Sequence, residues 1–347
     1  MDEALLKRLT DVSAVSGHEI NLHSLIKEEL SDYVDRIESL KNGSVVAFRN
    51  GEPGKYTLML DAHIDEVGAF VTGITDEGFL RIHSRSIDSK ILPGSIVIVN
   101  GKRQIKGVIG LKPYHLETKE ETKTAVPIEE LFVDCGMKKK DMEKVVRIGD
   151  TVSFHPKFLK LKNSFVSNKS LDDRVGAYII IEVLKSLVKT NIPINVIGHF
   201  ASQEEVTGLG AITSTYQLKP DFAIAIDVTH GTSPSVSRRE AAELGKGPVL
   251  FIGPTVSKPM IDKLIRIAEE YDIGLQKEVG IFTGTDQVEI AMVRSGIPSV
   301  VVSIAERYMH TPVEVINTDD VRKTVNLLSL FIANISDSFM EALHGKH

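Results

Sequence analysis

Apolar residues at helical spacing open the chain: Leu5, Leu6, Leu9, Val12 and Val15 predict a first helix, closed by Ser16-Gly17. A second amphipathic pattern predicts a helix over residues 18–30, with Ile20, Leu25, Ile26 and Leu30 turned inward. Strand-like segments at 34–40 and 44–48 flank Asn42-Gly43, a hairpin signal. Residues 56–60 form a continuous apolar strand, and Asp61, His63, Asp65 and Glu66 follow it at once.

From 67 to 161 the period shortens. Strand-length segments recur at 69–74, 79–83, 95–99, 104–111, 130–134 and 151–154, with one helical pattern at 139–145. This predicts a small β-barrel or sandwich inserted in an α/β domain. The charged, Thr-rich run 117–123 is expected to be an exposed loop. At Val166 strands and helices alternate again. Strands are predicted at 194–202, 222–226, 248–252, 275–279 and 299–304, with helices at 175–189, 258–271 and 287–294. Thr318 is expected to cap a final helix, with Asp319 and Asp320 in its first turn. The predicted class is α/β, a mixed and mostly parallel sheet flanked by helices. Its expected domains are residues 1–66 plus 162–347, interrupted by a β-barrel-like insertion over 67–161.

Composition adds limits. Of 347 residues 42% are hydrophobic and 25% charged, as in ordinary soluble domains. The net charge of −6 argues against a nucleic-acid partner or an anionic membrane surface. Cys135 is the sole cysteine, so an intrachain disulfide is excluded and a reducing compartment is expected. The start, Met1-Asp2-Glu3-Ala4-Leu5-Leu6-Lys7, does not read as a signal peptide, and no apolar run reaches the ~18 residues of a membrane span. A cytoplasmic location is expected.

The chemistry gathers after the apolar strands. His63 and Asp65 follow one, Glu204 and Glu205 another, Asp227 a third, and His310 lies just beyond the last; Asp172 and Asp173 open a helix. In an open parallel sheet such ends converge on one edge. Two histidines among carboxylates suit zinc or cobalt, and the lack of a nearby cysteine argues against a structural zinc clip. Each residue alone has an ordinary reading: a solvated Glu-Glu pair, a turn cap at Asp227, an N-cap at Asp172, a buried His63. Five segments of the same kind are better explained together.

The motifs His63-Ile64-Asp65-Glu66-Val67-Gly68, Leu171-Asp172-Asp173-Arg174-Val175-Gly176, Gln203-Glu204-Glu205-Val206, Ile226-Asp227-Val228-Thr229 and Arg307-Tyr308-Met309-His310-Thr311-Pro312 resemble, in this order, those of the tetrahedral aminopeptidases. Lys112-Pro113-Tyr114-His115 and Gly284-Thr285-Asp286 extend the resemblance over nearly the whole chain. These are dinuclear metallopeptidases that include glutamyl and deblocking aminopeptidases; some relatives are labelled endoglucanases. The resemblance implies a hydrolase-type core, a β-rich dimerisation insertion and a hollow tetrahedral dodecamer built from dimers. It implies removal of N-terminal residues from peptides with a free N-terminus, using two divalent metals, zinc or cobalt, per subunit. By position, one metal takes His63 and Asp227, the other Glu205 and His310. Asp172 bridges them, with Asp173 the rival for that role. Glu204 is implied as general base, and Asp65 orients His63 through its second ring nitrogen.

One departure is visible. The family's usual run after the glutamates is Val-Gly-Leu-Arg-Gly, whereas this chain has Val206-Thr207-Gly208-Leu209-Gly210 and no arginine. Loop shape, substrate preference or subunit contact are where a difference is expected. The alternative reaction is an amidohydrolase or deacylase acting on N-acyl amino acids with the same metal core. A glycosidase would need carboxyls flanking a bond at about 5–9.5 Å and would leave both histidines without a task. A non-catalytic shell protein would be expected to have lost ligands.

Overall fold

A computed structural model of the chain describes residues 1–51, 55–118, 124–237 and 241–345. Helices α1 (Glu3–Asp11) and α2 (Ile20–Leu30) precede the antiparallel hairpin β1 (Arg36–Ser39) and β2 (Val45–Arg49), and then the buried strand β3 (Thr57–His63). Helix α1 stops at Asp11, earlier than the apolar spacing predicts. Val12 is already extended, and the Arg174 guanidinium donates to the carbonyls of Leu9 (2.7 Å) and Val12 (3.2 Å), satisfying terminal acceptors that a further turn would have used. Ile20, expected inward, is 72% exposed. It lies on the far side of α2 from the stripe Leu22, Leu25, Ile26 and Leu30, which reaches the core.

The chain then enters a closed barrel. Strands β4 (Ala69–Ile74), β5 (Leu80–His83), β6 (Ile96–Asn100), β7 (Gln104–Ile109), β8 (Phe132–Asp134) and β9 (Thr151–Phe154) close in the order β4-β5-β8-β7-β6-β9, with α3 (Lys139–Val145) beside them. Alternation drives this: in β5, Leu80 and Ile82 face the interior while Arg81 and His83 face out. The barrel has its own apolar core, including Val71, Ile82, Val99, Ile109, Val133 and Phe154. Of the exposed run expected at 117–123, residues 119–123 lie outside the described residues.

After β10 (Leu159–Lys160) and β11 (Phe165–Asn168) comes α4 (Leu171–Ser186), whose first residues Asp172 and Asp173 are not helical in backbone, so its regular turns start close to the predicted position. The rest alternates: β12 (Asn195–Ala201), α5 (Glu204–Thr207), α6 (Leu209–Leu218), β13 (Phe222–His230), β14 (Val249–Ile252), α7 (Lys258–Glu270), β15 (Gln276–Val279), α8 (Asp286–Ala291), β16 (Ser299–Glu306), β17 (Glu314–Asn317), α9 (Thr318–Ala333) and α10 (Asp337–Leu343). Helix α9 is capped by Asn317, whose side chain accepts from the Asp319 amide; Thr318 is already its first residue, and α10 follows it. The expected cap is thus displaced by one position, because Asn317 ends the unforeseen strand β17, paired antiparallel with β11.

The main sheet has eight strands in the order β1-β2-β12-β3-β13-β16-β14-β15. Its centre, β12-β3-β13-β16, is parallel; β1, β2 and the β14–β16 pairing make it mixed. Leu58, Leu60 and Ala62 of β3 face the large core under α1, α2, α4 and α9, while Met59 faces a smaller cluster with Ala211 of α6 and Ile290 of α8. Helices on both faces bury the central strands twice over, which explains their unbroken apolar runs. No helix among the described residues is long and apolar enough to cross a membrane.

The chain leaves the sheet for the barrel just after β3 and returns before α4, and a buried ion pair joins these two points. Lys169 Nζ lies 2.5 Å from Glu66 Oε2, both side chains almost fully shielded. Glu66 also accepts from the Ala14 amide at 2.8 Å and from the Ser170 hydroxyl. Removing one partner of a buried pair strands the other charge, at a cost of about 3–5 kcal/mol. Lys169→Met is therefore expected to destabilise the chain by about that much, read as a lowered urea midpoint; an unchanged midpoint would show the pair to be dispensable.

Candidate metal centre and active site

The carboxyl ends of β3, β12 and β13 open on one cavity of about 520 Å³. Strand alternation places His63 on the same face of β3 as Met59 and Asp61. Its Nε2 lies 3.1 Å from Asp172 Oδ1 and 3.8 Å from Glu204 Oε2. His310, on the loop between β16 and β17, points its Nε2 at the other oxygen of Asp172, at 3.1 Å, and at Glu205 Oε2, at 3.5 Å. Asp172 thus presents one oxygen to each histidine. Two sets of potential ligand atoms result, His63–Asp172–Asp227 and Asp172–Glu205–His310, each set lying within 4.8 Å. Asp173 turns the other way: its Oδ1 accepts from the Gly176 amide at 3.0 Å. A Cβ at Gly176 would come within 2.3 Å of that carboxylate, so a larger residue there would have to push Asp173 aside.

Glu204 and Glu205 start the single turn α5, after Gln203 in left-handed backbone (φ 61°). Asp65 fixes this turn. Its Oδ1 accepts from the Glu204 amide (3.1 Å), its Oδ2 from the Glu205 amide (3.2 Å) and from the Ser16 hydroxyl (2.5 Å). Asp65 Oδ1 is also 3.4 Å from His63 Nδ1, longer than a well-formed hydrogen bond. Helix α6 packs close behind: a Cβ at Gly210 would approach the Ser202 carbonyl to 2.1 Å.

Several residues here carry no role in the sequence reading. Glu314, fully buried on β17, accepts from the Leu171 amide (2.6 Å), the Asp172 amide (3.3 Å) and the His310 amide (3.1 Å), and so ties the backbones of two site residues together. Its carboxyl is pushed up by burial and by the nearby Asp172, and Glu306 beside it is also raised, by burial and by Glu314. Asp61 and His199, cross-strand partners, meet at 2.5 Å beneath the site. Of the Gly284-Thr285-Asp286 motif, Gly284 and Thr285 line the cavity while Asp286 is buried behind it with both oxygens unpartnered. Lys112-Pro113-Tyr114-His115 lies apart from the cavity, exposed on the barrel domain.

The charge balance is lopsided. Asp172, Glu204, Glu205 and Asp227 share the cavity, and no lysine or arginine lines it among the described residues. Burial and neighbouring carboxylates push Asp227 and Glu205 well above the ordinary carboxyl range and Glu204 up to about 7. Burial opposes a charged His63, yet its hydrogen bond with Asp172 and the nearby carboxylates of Asp65 and Glu204 outweigh that and raise it. Burial likewise opposes ionised Asp172, but contacts with His310 and His63 hold it low. Glu205 Oε1 is buried without any partner. An unpaired buried acceptor among like charges is costly, and imidazole plus carboxylate is the donor set of divalent cations. The residues present fit such ions.

An edge of this kind, able to hold divalent cations beside a free glutamate, suits a metal-dependent hydrolase. The M42 glutamyl aminopeptidase family model matches residues 43–327, and the chain belongs to that family. Membership makes it a hydrolase of the aminopeptidase type with divalent-metal use. The chain is 30% identical to a lysyl aminopeptidase of Pyrococcus furiosus over 342 residues, covering 96% of this chain and 98% of that one. Its fold is similar to a TET aminopeptidase from a marine sediment archaeon of the Thaumarchaeota, with TM-score 0.94, 29% identity and 98% of each chain covered. It is also similar to the Pyrococcus horikoshii TET1 peptidase, which can assemble into a tetrahedron or a large octahedral shell, with TM-score 0.85, 31% identity and 96% and 99% covered.

Raised carboxyl and imidazole pKa values mean that the metal-free site keeps protons that a metal must displace. Metal affinity is therefore expected to rise with pH through the range above the ordinary carboxyl pKa, by about tenfold per pH unit for each proton released. Titration calorimetry in buffers of different ionisation enthalpy counts those protons; an affinity flat across this range would contradict the protonation pattern.

Proposed function

We propose that the chain removes N-terminal residues from peptides with a free N-terminus, using two divalent cations, zinc or cobalt. The observation that carries this reading is the split of Asp172, one oxygen 3.1 Å from each histidine. His63 and Asp227 would hold one cation, Glu205 and His310 the other, and Asp172 both. Asp173 is the weaker candidate for the shared position, since its carboxylate binds the Gly176 amide. Bound there, the cations would acidify a water and polarise the scissile carbonyl.

Glu204 faces the same space without belonging to either ligand set. It accepts a proton from the attacking water and delivers it to the leaving amine. Without cations its carboxyl is pushed up to about 7, chiefly by burial, and a carboxyl held beside the attacking water is suited to that two-way task. Asp65 holds Glu204 by its backbone and faces the second nitrogen of His63, which orients the ring.

The barrel, within an insertion over 67–161, is read as a dimerisation domain, and the assembly as a tetrahedral dodecamer of dimers. The shell formed by the P. horikoshii TET1 peptidase supports this, as do exposed Val108, Leu111, Tyr114 and Leu116 on the barrel domain. A catalytic domain of 1–66 plus 162–347, located in the cytoplasm, completes the reading.

The test compares aminoacyl and N-acyl substrates after chelation and metal restoration. Chelation is expected to abolish turnover and zinc or cobalt to restore it. Cleavage confined to blocked substrates would instead identify a deacylase. Glu204→Gln is expected to bind two metals per chain by elemental analysis while kcat falls about 10²–10⁴-fold; near-normal turnover would remove Glu204 from the base role.

A further inference from the structure

The cavity runs on from the two ligand sets to a wall formed by Thr229, Phe251, Glu278 and Phe282. Among the described residues, Glu278, on edge strand β15, is the cavity's one carboxylate outside the ligand sets and Glu204. Glu278 is exposed, and the Thr229 hydroxyl donates to its Oε2 at 2.7 Å. Thr229 follows Asp227 by two residues on β13, so both side chains leave the same face, about 7 Å apart along the strand. Glu278 therefore stands a long side chain's reach from the proposed metal centre. Phe251, the cross-strand neighbour of Glu278, and Phe282 line the same cavity and offer apolar surface to an aliphatic stem. Among the described residues no lysine or arginine lines the cavity, so the Glu278 carboxylate favours a cationic over an acidic first side chain.

We propose that Glu278 selects a cationic first residue, so that the preferred substrates are peptides beginning with lysine or arginine. The inference rests on the aminopeptidase reading above. Its direction is opposite to the glutamyl preference in the family's name, and it follows from the charge of this chain's own cavity. A lysyl or arginyl substrate places its α-amine and scissile bond at the metal centre, runs its stem over the phenylalanines, and pairs its head with Glu278.

The experiment uses the full-length, metal-loaded protein with lysyl, arginyl, leucyl and glutamyl p-nitroanilides. The wild type is expected to favour lysyl over glutamyl at least 100-fold in kcat/KM. Glu278→Gln should lower the lysyl-to-leucyl ratio about tenfold, chiefly through KM, and Glu278→Lys should reverse the order of lysyl and glutamyl substrates. In Glu204→Gln protein, where turnover is suppressed, a lysyl dipeptide should bind about tenfold tighter than a glutamyl one by calorimetry. A wild type that prefers the glutamyl substrate overturns the proposal while leaving the aminopeptidase reading intact. An equal loss on all four substrates in Glu278→Gln also overturns it, because Glu278 would then hold the shared α-amine. No turnover of any of them overturns the aminopeptidase reading, and this proposal with it.

Discussion

The Asp65 carboxylate is the constraint on which the site depends. It is wholly buried, and burial alone would protonate it; the His63 ring, the Ser16 hydroxyl and the Glu204 amide together hold it below its ordinary range. Its neighbours come from three parts of the chain. β3 and β12 run parallel with His63 opposite Ala201, and the Ile64 amide donates to the Ala201 carbonyl at 2.8 Å. The segments leaving these two strands therefore start side by side, and Asp65 spans them. Amides donating to an ionised carboxylate make strong, directional bonds. One side chain thereby sets the height of the glutamate turn relative to His63.

A second carboxylate does the same on the far side. Glu314 takes the amides of Asp172 and His310, whose side chains meet over the cavity. His310 and Gln203 both adopt left-handed backbone, with φ of 63° and 61°, and Ser170 before Asp172 does too, with φ of 56°. Such residues cost about 1–3 kcal/mol each and persist where surroundings over-determine them. Here each is held by a buried carboxylate: His310 by Glu314, Gln203 through its amide by Glu19, and Ser170 through its hydroxyl by Glu66. The fold spends acidic side chains as backbone anchors so that other acidic side chains can face the cavity.

This division explains what the sequence could and could not reveal. Apolar runs ending in charge exposed β3, β12 and β13, because central parallel strands buried on both faces leave that trace. His63, Asp172, Glu204, Glu205, Asp227 and His310 were legible as an ordered set, and the fold brings all six to one cavity. Asp172 and Asp173 were not separable, since which neighbour faces the cavity depends on a non-helical start to α4 that no periodicity encodes. Glu314 and Glu306 were invisible for another reason: their partners are backbone amides or another carboxylate, and such contacts leave no motif. Glu278 sits on a four-residue edge strand whose polar pattern reads as solvent-facing. Its importance lies in Thr229, which is brought near by the sheet and not by the chain.

The same economy fixes the sign of the cavity. The buried cations Lys169 and Arg174 both lie behind the edge: Lys169 pairs with Glu66, and Arg174 donates to the carbonyls that end α1. Neither lines the cavity. The protein thus stabilises its own acidic anchors with its own cations and leaves the cavity carboxylates to be neutralised from outside. Protons do this in part, as the raised Asp227 and Glu205 indicate. Divalent cations would do it through the oxygens and imidazoles that converge in two sets around Asp172. The arrangement that favours protons on these side chains is the one that suits them to a divalent cation, so affinity for protons and affinity for metal are two readings of one charge distribution.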